Sequence, residues 1–193
     1  MKIAFINGSP RPGETVSGYL LNALEKRLPN CEITHGWEEP CNIYVISFPL
    51  YVDGIPSQFL RELIAREQAM PPGARVYAIA NNGFYEGAQN AAALSMLRNW
   101  TVRAGLVWGQ GLGIGAGTSI PLGEAMGRGS ASMKMLGRAL DTLAANILSG
   151  AACADLFTHP KFPRAIYMRA GDISFRLQGK KNGLTRREMQ QKL

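Results

Sequence analysis

Cysteine is scarce. The 193 residues hold three, Cys31, Cys41 and Cys153, too far apart and odd in number for a disulfide framework or a Cys-x2-Cys metal pair. Histidine is scarcer still, and neither His35 nor His159 stands in a pattern with cysteine or carboxylate, so no metal site is expected. No apolar run is long enough to span a membrane. The apolar stretch at the N-terminus is too short for a secretory signal and is followed at once by Asn7-Gly8-Ser9-Pro10. These absences point to a reducing, cytoplasmic compartment, with the cysteines as small buried residues and no membrane among the partners. Repeats and low-complexity tracts are missing too. Acidic residues are absent mainly from one place. Residues 1–158 carry twelve basic and twelve acidic side chains, whereas residues 159–193 carry nine basic ones against Asp172 and Glu188. The whole net charge of +7 therefore sits in the tail.

What is present reads as a globular α/β chain. At 46% hydrophobic residues it can bury a core, and its length suits one domain, residues 1–158, with a basic C-terminal extension, residues 159–193. Short apolar runs at residues 2–6, 32–35, 42–48, 75–80 and 106–110 read as strands, continuous rather than alternating, as in a sheet covered on both faces. Helical patterns alternate with them. Leu20, Leu21, Leu24 and Leu28 mark the first, Phe59, Leu60, Leu63 and Ile64 the second, and residues 86–104 the third. Met133, Leu136, Leu140, Leu143 and Ile147 mark a helix over residues 130–148. This alternation predicts a five-stranded parallel sheet with helices on both faces. Residues 111–129 are glycine-rich and read as a mobile loop. The Gly-x-Gly-x-x-Ala spacing at Gly111 follows the fifth strand and carries no dinucleotide reading. The tail reads either as a helix through Phe162, Ile166, Ala170, Ile173 and Leu177 or as a hairpin turning at Gly171-Asp172; the helix is preferred, followed by a turn at Asn182-Gly183 and a final short helix opened by the capping box Thr185-x-x-Glu188.

The stretch from Gly8 to Ser17 carries the chemistry. A strand feeding a loop of small residues, feeding a helix N-terminus, presents backbone N–H groups that lack intrahelical acceptors. Ser9, Thr15 and Ser17 add hydroxyls, and Arg11 adds a charged fork suited to phosphate. The spacing Gly8-x4-Gly13-Glu14-Thr15 is near that of a nucleoside triphosphate loop. Glu14, however, occupies the position where that loop needs lysine. The dinucleotide fingerprint is absent from this loop. Two readings remain open: a loop that cups one terminal phosphate, such as that of FMN, or a strand-to-helix turn that binds nothing.

Ligands of parallel sheets bind beyond the carboxyl ends of the strands. Three polar or glycine-rich loops leave those ends, at residues 7–17, 49–56 and 81–87, and are expected to meet there. The run Ile6-Asn7-Gly8-Ser9-Pro10-Arg11 with Thr15 resembles the signature of the NADPH-dependent FMN reductases of the flavodoxin-like superfamily. Pro49-Leu50-Tyr51-Val52-Asp53-Gly54-Ile55-Pro56 resembles that family's second, ring-lining loop, and Asn81-Asn82-Gly83-Phe84-Tyr85-Glu86 its third. The resemblance covers most of residues 1–150. It implies a flavodoxin-like fold, bound FMN, NAD(P)H as reductant, a small-molecule acceptor such as a flavin or quinone, and a homodimer. It further implies phosphate contacts from Ser9, Arg11, Thr15 and Ser17. Ring contacts would come from Pro49, Leu50, Tyr51, Val52, Asp53, Asn81, Asn82, Gly83 and Tyr85. Flavin carries the redox chemistry, so no catalytic side chain is required.

Some readings stay paired. Tyr51 and Tyr85 either wall the ring or are ordinary aromatics. Asp53 either bonds the ring edge or makes a turn with Gly54, and the turn is preferred. Glu14, in the first turn of a helix, is expected to face solvent. A flavodoxin-like electron carrier and a non-enzymatic binding module of the same fold are the alternatives to a reductase. The basic tail either meets an anionic partner or is a solvated cationic helix. The solvated helix is preferred, because no aromatic residues interleave with the charges as nucleic-acid binding would require.

Overall fold

A computed structural model describes residues 1–120, 131–185 and 187–190. Six strands form one parallel sheet in the order β2-β1-β3-β4-β5-β6. They are β1 (Lys2–Asn7), β2 (Glu32–His35), β3 (Ile43–Pro49), β4 (Arg75–Asn81), β5 (Val107–Ile114) and β6 (Leu156–Thr158). The helices are α1 (Val16–Glu25), α2 (Ser57–Arg66), α3 (Ala91–Arg103), α4 (Ala131–Ser149) and α5 (Arg164–Lys181). The chain divides into two compact units, Met1–Pro160 and Lys161–Leu193.

In the first unit the continuous apolar strands are buried from both sides, as their sequence demands. Ile3, Phe5, Val45, Tyr77 and Ile79 face Leu20, Leu24, Leu140, Leu143 and Ile147 of α1 and α4. Ala4, Ile46, Phe48, Val76 and Ala78 face Phe59, Leu63, Leu94, Leu97 and Trp100 of α2 and α3. Each such leucine or isoleucine contributes roughly 1.5–3 kcal/mol on burial. Tyr77 fixes α4 as well as filling the core. Its hydroxyl reaches the carbonyl oxygens of Asn146 at 2.8 Å and Ala151 at 2.9 Å, and burial pushes its pKa up.

The structure differs from the sequence expectation at the far edge of the sheet. A sixth strand is present, and β5 runs on through Gly111 to Ile114, into the stretch read as a mobile loop. The rest of that stretch includes a short turn at Gly117–Ser119; residues 121–129 lie outside the described residues. A carboxylate holds the new edge in place. Asp155 accepts from Trp108 Nε1 at 3.1 Å, from the Gly111 N–H at 2.8 Å and from Arg98 Nη2 at 2.6 Å. The Arg98 guanidinium lies over the Trp108 ring, 5.2 Å from its centroid. Donors from β5 and α3 thus converge on the residue just before β6. The helix expected over residues 86–104 is a 3-10 turn (Gly87–Asn90) followed by α3.

In the second unit α5 ends where Asn182-Gly183 predicts. Gly183 is left-handed at φ +78°, the Leu184 N–H donates to Gly179 O at 3.0 Å and the Gly183 N–H to Lys180 O at 3.0 Å. This pair of bonds satisfies two of the last helical carbonyls. The capping box also forms: the Glu188 N–H donates to Thr185 Oγ1 at 3.3 Å, and the Thr185 N–H to Glu188 Oε2 at 2.7 Å. Bonds from the Thr185 hydroxyl and backbone hold the Glu188 carboxyl below its ordinary pKa. The element they open is a 3-10 turn (Glu188–Gln190), not an α-helix.

Candidate functional site

The chain passes from β1 to β2 on one side of the sheet and to β3 on the other, so the order reverses between β1 and β3. The carboxyl ends on either side of such a reversal splay apart and leave a crevice. The loops after β1, β3 and β4 are tied together there by main-chain bonds. The Gly8 N–H donates to Ser47 O at 2.8 Å, and the Leu50 N–H to Asn81 O at 2.7 Å.

The first loop is held open by side chains. Asn7 Oδ1 accepts from the Ser9 N–H at 3.1 Å, and Asn7 Nδ2 reaches Thr15 Oγ1 at 3.4 Å. Thr15 caps α1, its Oγ1 accepting from the Gly18 N–H at 3.1 Å. The N–H groups of Gly13, Glu14, Thr15, Val16 and Ser17 have no protein acceptor, leaving five consecutive donors at the head of α1. Arg11 and Glu14 are exposed, and Ser9 and Thr15 are half-buried. Arg11 takes part in no ion pair among the described residues. Ser17 is buried instead, accepting from Asn81 Nδ2 at 3.0 Å. Behind the loop, opposite Asn7 in the strand register, the buried Ser47 hydroxyl has no partner.

The second loop turns tightly. Tyr51 and Gly54 exchange two main-chain bonds of 3.0 Å, and the residues between them, Val52 and Asp53, are left-handed at φ +48° and +58°. A two-residue hairpin turn of this hand requires positive φ at both positions and is normally made by Asn-Gly or Asp-Gly. A β-branched residue there is strained by roughly 1–2 kcal/mol. The turn projects Val52 wholly into solvent, at 103% relative exposure. Asp53 is exposed as well, while Pro49, Leu50 and Tyr51 are half-buried. Replacing Val52 by glycine removes the strain. Val52→Gly is expected to raise stability by about 1 kcal/mol in urea unfolding; a loss of stability would show that the Val52 side chain contributes a contact outweighing the strain.

The third loop is built mostly from inside. Asn81 is buried and braces Ser17 and the Phe48 carbonyl, the latter at 3.1 Å. Asn82 is buried too: its Oδ1 accepts from the Phe84 N–H at 3.0 Å and its Nδ2 donates to Glu86 O at 3.2 Å. Gly83 and Phe84 are the exposed tip. Tyr85 is half-buried; its hydroxyl donates to Pro160 O at 3.0 Å and its ring lies 5.8 Å from that of His159. The end of β5 lines this loop. The Gly117 N–H donates to Asn82 O at 2.6 Å and the Asn82 N–H to Ile114 O at 3.0 Å.

The three loops therefore meet, but the thirteen residues singled out by the sequence divide. Ser9, Arg11, Thr15, Tyr51, Val52, Asp53, Gly83 and Tyr85 retain some exposure, as do Pro49 and Leu50, whereas Ser17, Asn81 and Asn82 are interior braces. Sequence reasoning missed Asn7, which shapes the first loop, and residues 114–117 and 158–160, which support the third. Asn7 carried one signal, a polar side chain closing an apolar strand. A cleft of about 900 Å³ runs from Gly13, Glu14 and Thr15 between α1 and α4, past Tyr19, Lys26 and Met133, and shares no residue with the second or third loop. Among the described residues no group of three or more His, Cys, Asp or Glu side chains could hold a metal ion.

No protein-family model matches the chain, and no curated protein matches it in sequence. Solved structures do. A flavodoxin of Streptococcus pneumoniae is similar with a TM-score of 0.56 at 9% identity, over 78% of this chain and 100% of that one. An NADH:FMN oxidoreductase in its apo form gives 0.52 at 15%, over 75% and 88%. A WrbA-like flavodoxin of Agrobacterium tumefaciens gives 0.50 at 12%, over 77% and 98%. The protein has the flavodoxin-like fold, with a sixth strand and a C-terminal helix.

Proposed function

We propose that the protein binds FMN at the three-loop end and works as an NAD(P)H-dependent flavin oxidoreductase, passing electrons to a small acceptor such as a flavin or quinone. The observation that carries this reading is the row of five unpartnered N–H groups at the head of α1, beside the reversal point of the sheet. They suit a phosphate monoester: donors are supplied by the backbone, the helix dipole adds favourable charge, and Arg11 is near in sequence. Residues 13–17 and Arg11 would hold the phosphate. Residues 50–53 and 83–85 would border the ring, and the buried Asn81 and Asn82 would fix the loops that carry them. FMN, when bound, supplies the electron-transfer chemistry. The chain's task is to position it and leave access for a reductant and then an acceptor. Glu14 is exposed at the same helix head, and its carboxylate would turn to solvent to leave the phosphate donors unopposed.

The family resemblance of the three loops supports a reductase, as does a body without the acidic excess typical of flavodoxin carriers. Work at a cytoplasmic site as a homodimer belongs to the same proposal. Purified protein is expected to be yellow or to quench the fluorescence of added FMN, and anaerobic NADPH or NADH should bleach the bound flavin within minutes. Absence of quenching at high micromolar FMN would overturn the cofactor reading. Bleaching by dithionite but by neither nicotinamide would leave an electron carrier.

A further inference from the structure

The second unit presents a helix with little support from propensity alone. α5 carries two interior glycines, Gly171 and Gly179, each costing about 1 kcal/mol relative to alanine, and most helical stability in proteins comes from packing. Stability of such a helix comes from covering an apolar face. The apolar side chains of α5 are nevertheless open: Met168 and Phe175 are 49% and 74% exposed on one face, and Ile166, Ile173 and Leu177 are 56%, 57% and 57% exposed on the other.

Those three residues and Ala170 follow one another at spacings of four, three and four, so they form one stripe along the helix. Basic residues stand on both edges of it. Arg169, Arg176 and Lys180 line one side, and Lys181 follows on the other. None of these four takes part in an ion pair among the described residues. The one carboxylate of the helix, Asp172, lies off the stripe. Among the described residues no helix is long and apolar enough to cross a membrane.

We infer that α5 docks on an anionic lipid surface, laying the stripe of Ile166, Ala170, Ile173 and Leu177 into the headgroup boundary, with Arg169, Arg176, Lys180 and Lys181 on the lipid phosphates. This departs from the expectation that no membrane is among the partners, and it is independent of the flavin reading. Charge complementarity selects the occupant. Cations on both edges of a narrow apolar stripe can be met at once by a plane of negative charge, and their aliphatic stems extend the apolar contact. A second copy of this chain would offer either the same basic tail or a body of equal positive and negative charge, neither of them a surface of uniform negative sign. Because the stripe is narrow, association is shallow and reversible, and charge carries most of the affinity.

The test is sedimentation of the full chain with vesicles of phosphatidylcholine alone or with one quarter phosphatidylglycerol. Binding is expected only with the anionic vesicles and should fall at least tenfold between 0.05 and 0.5 M salt. Arg169→Gln/Arg176→Gln should lose about 25-fold, roughly fivefold per charge. Ile173→Asp should abolish binding, whereas Phe175→Ser, across the helix from the stripe, should change it less than twofold. Circular dichroism and light scattering on each variant report folding and mass. Equal binding to neutral vesicles, or none to anionic ones, would overturn the inference. A greater loss from Phe175→Ser than from Ile173→Asp would overturn the choice of face. A dimer that Ile173→Asp dissociates, with no vesicle binding, would assign the stripe to a second copy instead.

Discussion

Gly8→Ala is expected to lower flavin affinity at least tenfold and to cost about 1–3 kcal/mol of stability, a fall of roughly 3–10 °C in Tm. A Cβ on Gly8 would stand 2.5–2.7 Å from three atoms of the Phe59 ring. That ring has nowhere to go. Phe59 is buried on α2 with its centroid 6.1 Å from that of Phe48, inside the cluster shared by α2, α3 and the sheet. The backbone of the first loop must therefore lift, and the bond from the Gly8 N–H to Ser47 O lifts with it. The five free N–H groups begin only five residues further on, so a displaced Gly8 misplaces the donors proposed for the phosphate. Making room on the other side checks this account. Gly8→Ala/Phe59→Leu should recover most of the affinity, although Phe59→Leu alone costs stability. If the double variant binds FMN no better than Gly8→Ala, the clash with Phe59 is not the cause.

Gly87→Ala is expected to be the most damaging single methyl in the third loop, costing about 3 kcal/mol or more, and no single side-chain substitution should rescue it. The added carbon would lie 2.6 Å from the Gly113 carbonyl oxygen, and closer still to that of Thr158. Both are backbone atoms of sheet strands, so neither can rotate away. Relief requires either β6 to detach or the loop to withdraw from β5. Asn90 registers the same fit from within, donating to Gly87 O at 2.9 Å and Ile114 O at 3.2 Å. Hydrogen exchange should report which partner yields: loss of protection at residues 156–158 for strand detachment, or at residues 82–87 for loop withdrawal. Unchanged protection at both, with unchanged Tm, would show that the backbone absorbs the methyl.

The two substitutions mark how unevenly the site was written in the sequence. Gly8 stood in a motif, with a strand before it and a helix after it, and its role follows from local order. Gly87 stood only at the end of the third loop, in no motif of its own: the strand it packs against, β6, is three residues long and comes about seventy residues later. The hydrogen bonds of a parallel strand are all long-range, so a short one leaves little local pattern to read. The same holds for β5 beyond Gln110. Alternate glycines there read as a flexible tract, yet the missing side chains leave space that neighbouring side chains occupy, Leu94 beside Gly111 and Phe157 beside Gly113. Polar residues misled in the other direction. Ser17 and Asn81 resemble ligand contacts by type and position, and only their packing turns them into a brace between α1 and β4.

By itself the sequence determined the order of strands and helices, the parallel sheet with two covered faces, the three loops at its carboxyl edge and the confinement of net charge to the tail. Each of these is set by periodicity, composition or adjacency along the chain. The tertiary structure alone decided the sixth strand and its anchoring by Asp155, the burial of Ser17, Asn81 and Asn82, the strained Val52-Asp53 turn, and the exposure of the apolar stripe on α5. These depend on which groups distant in sequence come within hydrogen-bond or van der Waals reach, and on which side chains stay open among the described residues. Interactions of a few ångströms between residues far apart in the chain leave no periodic trace in it.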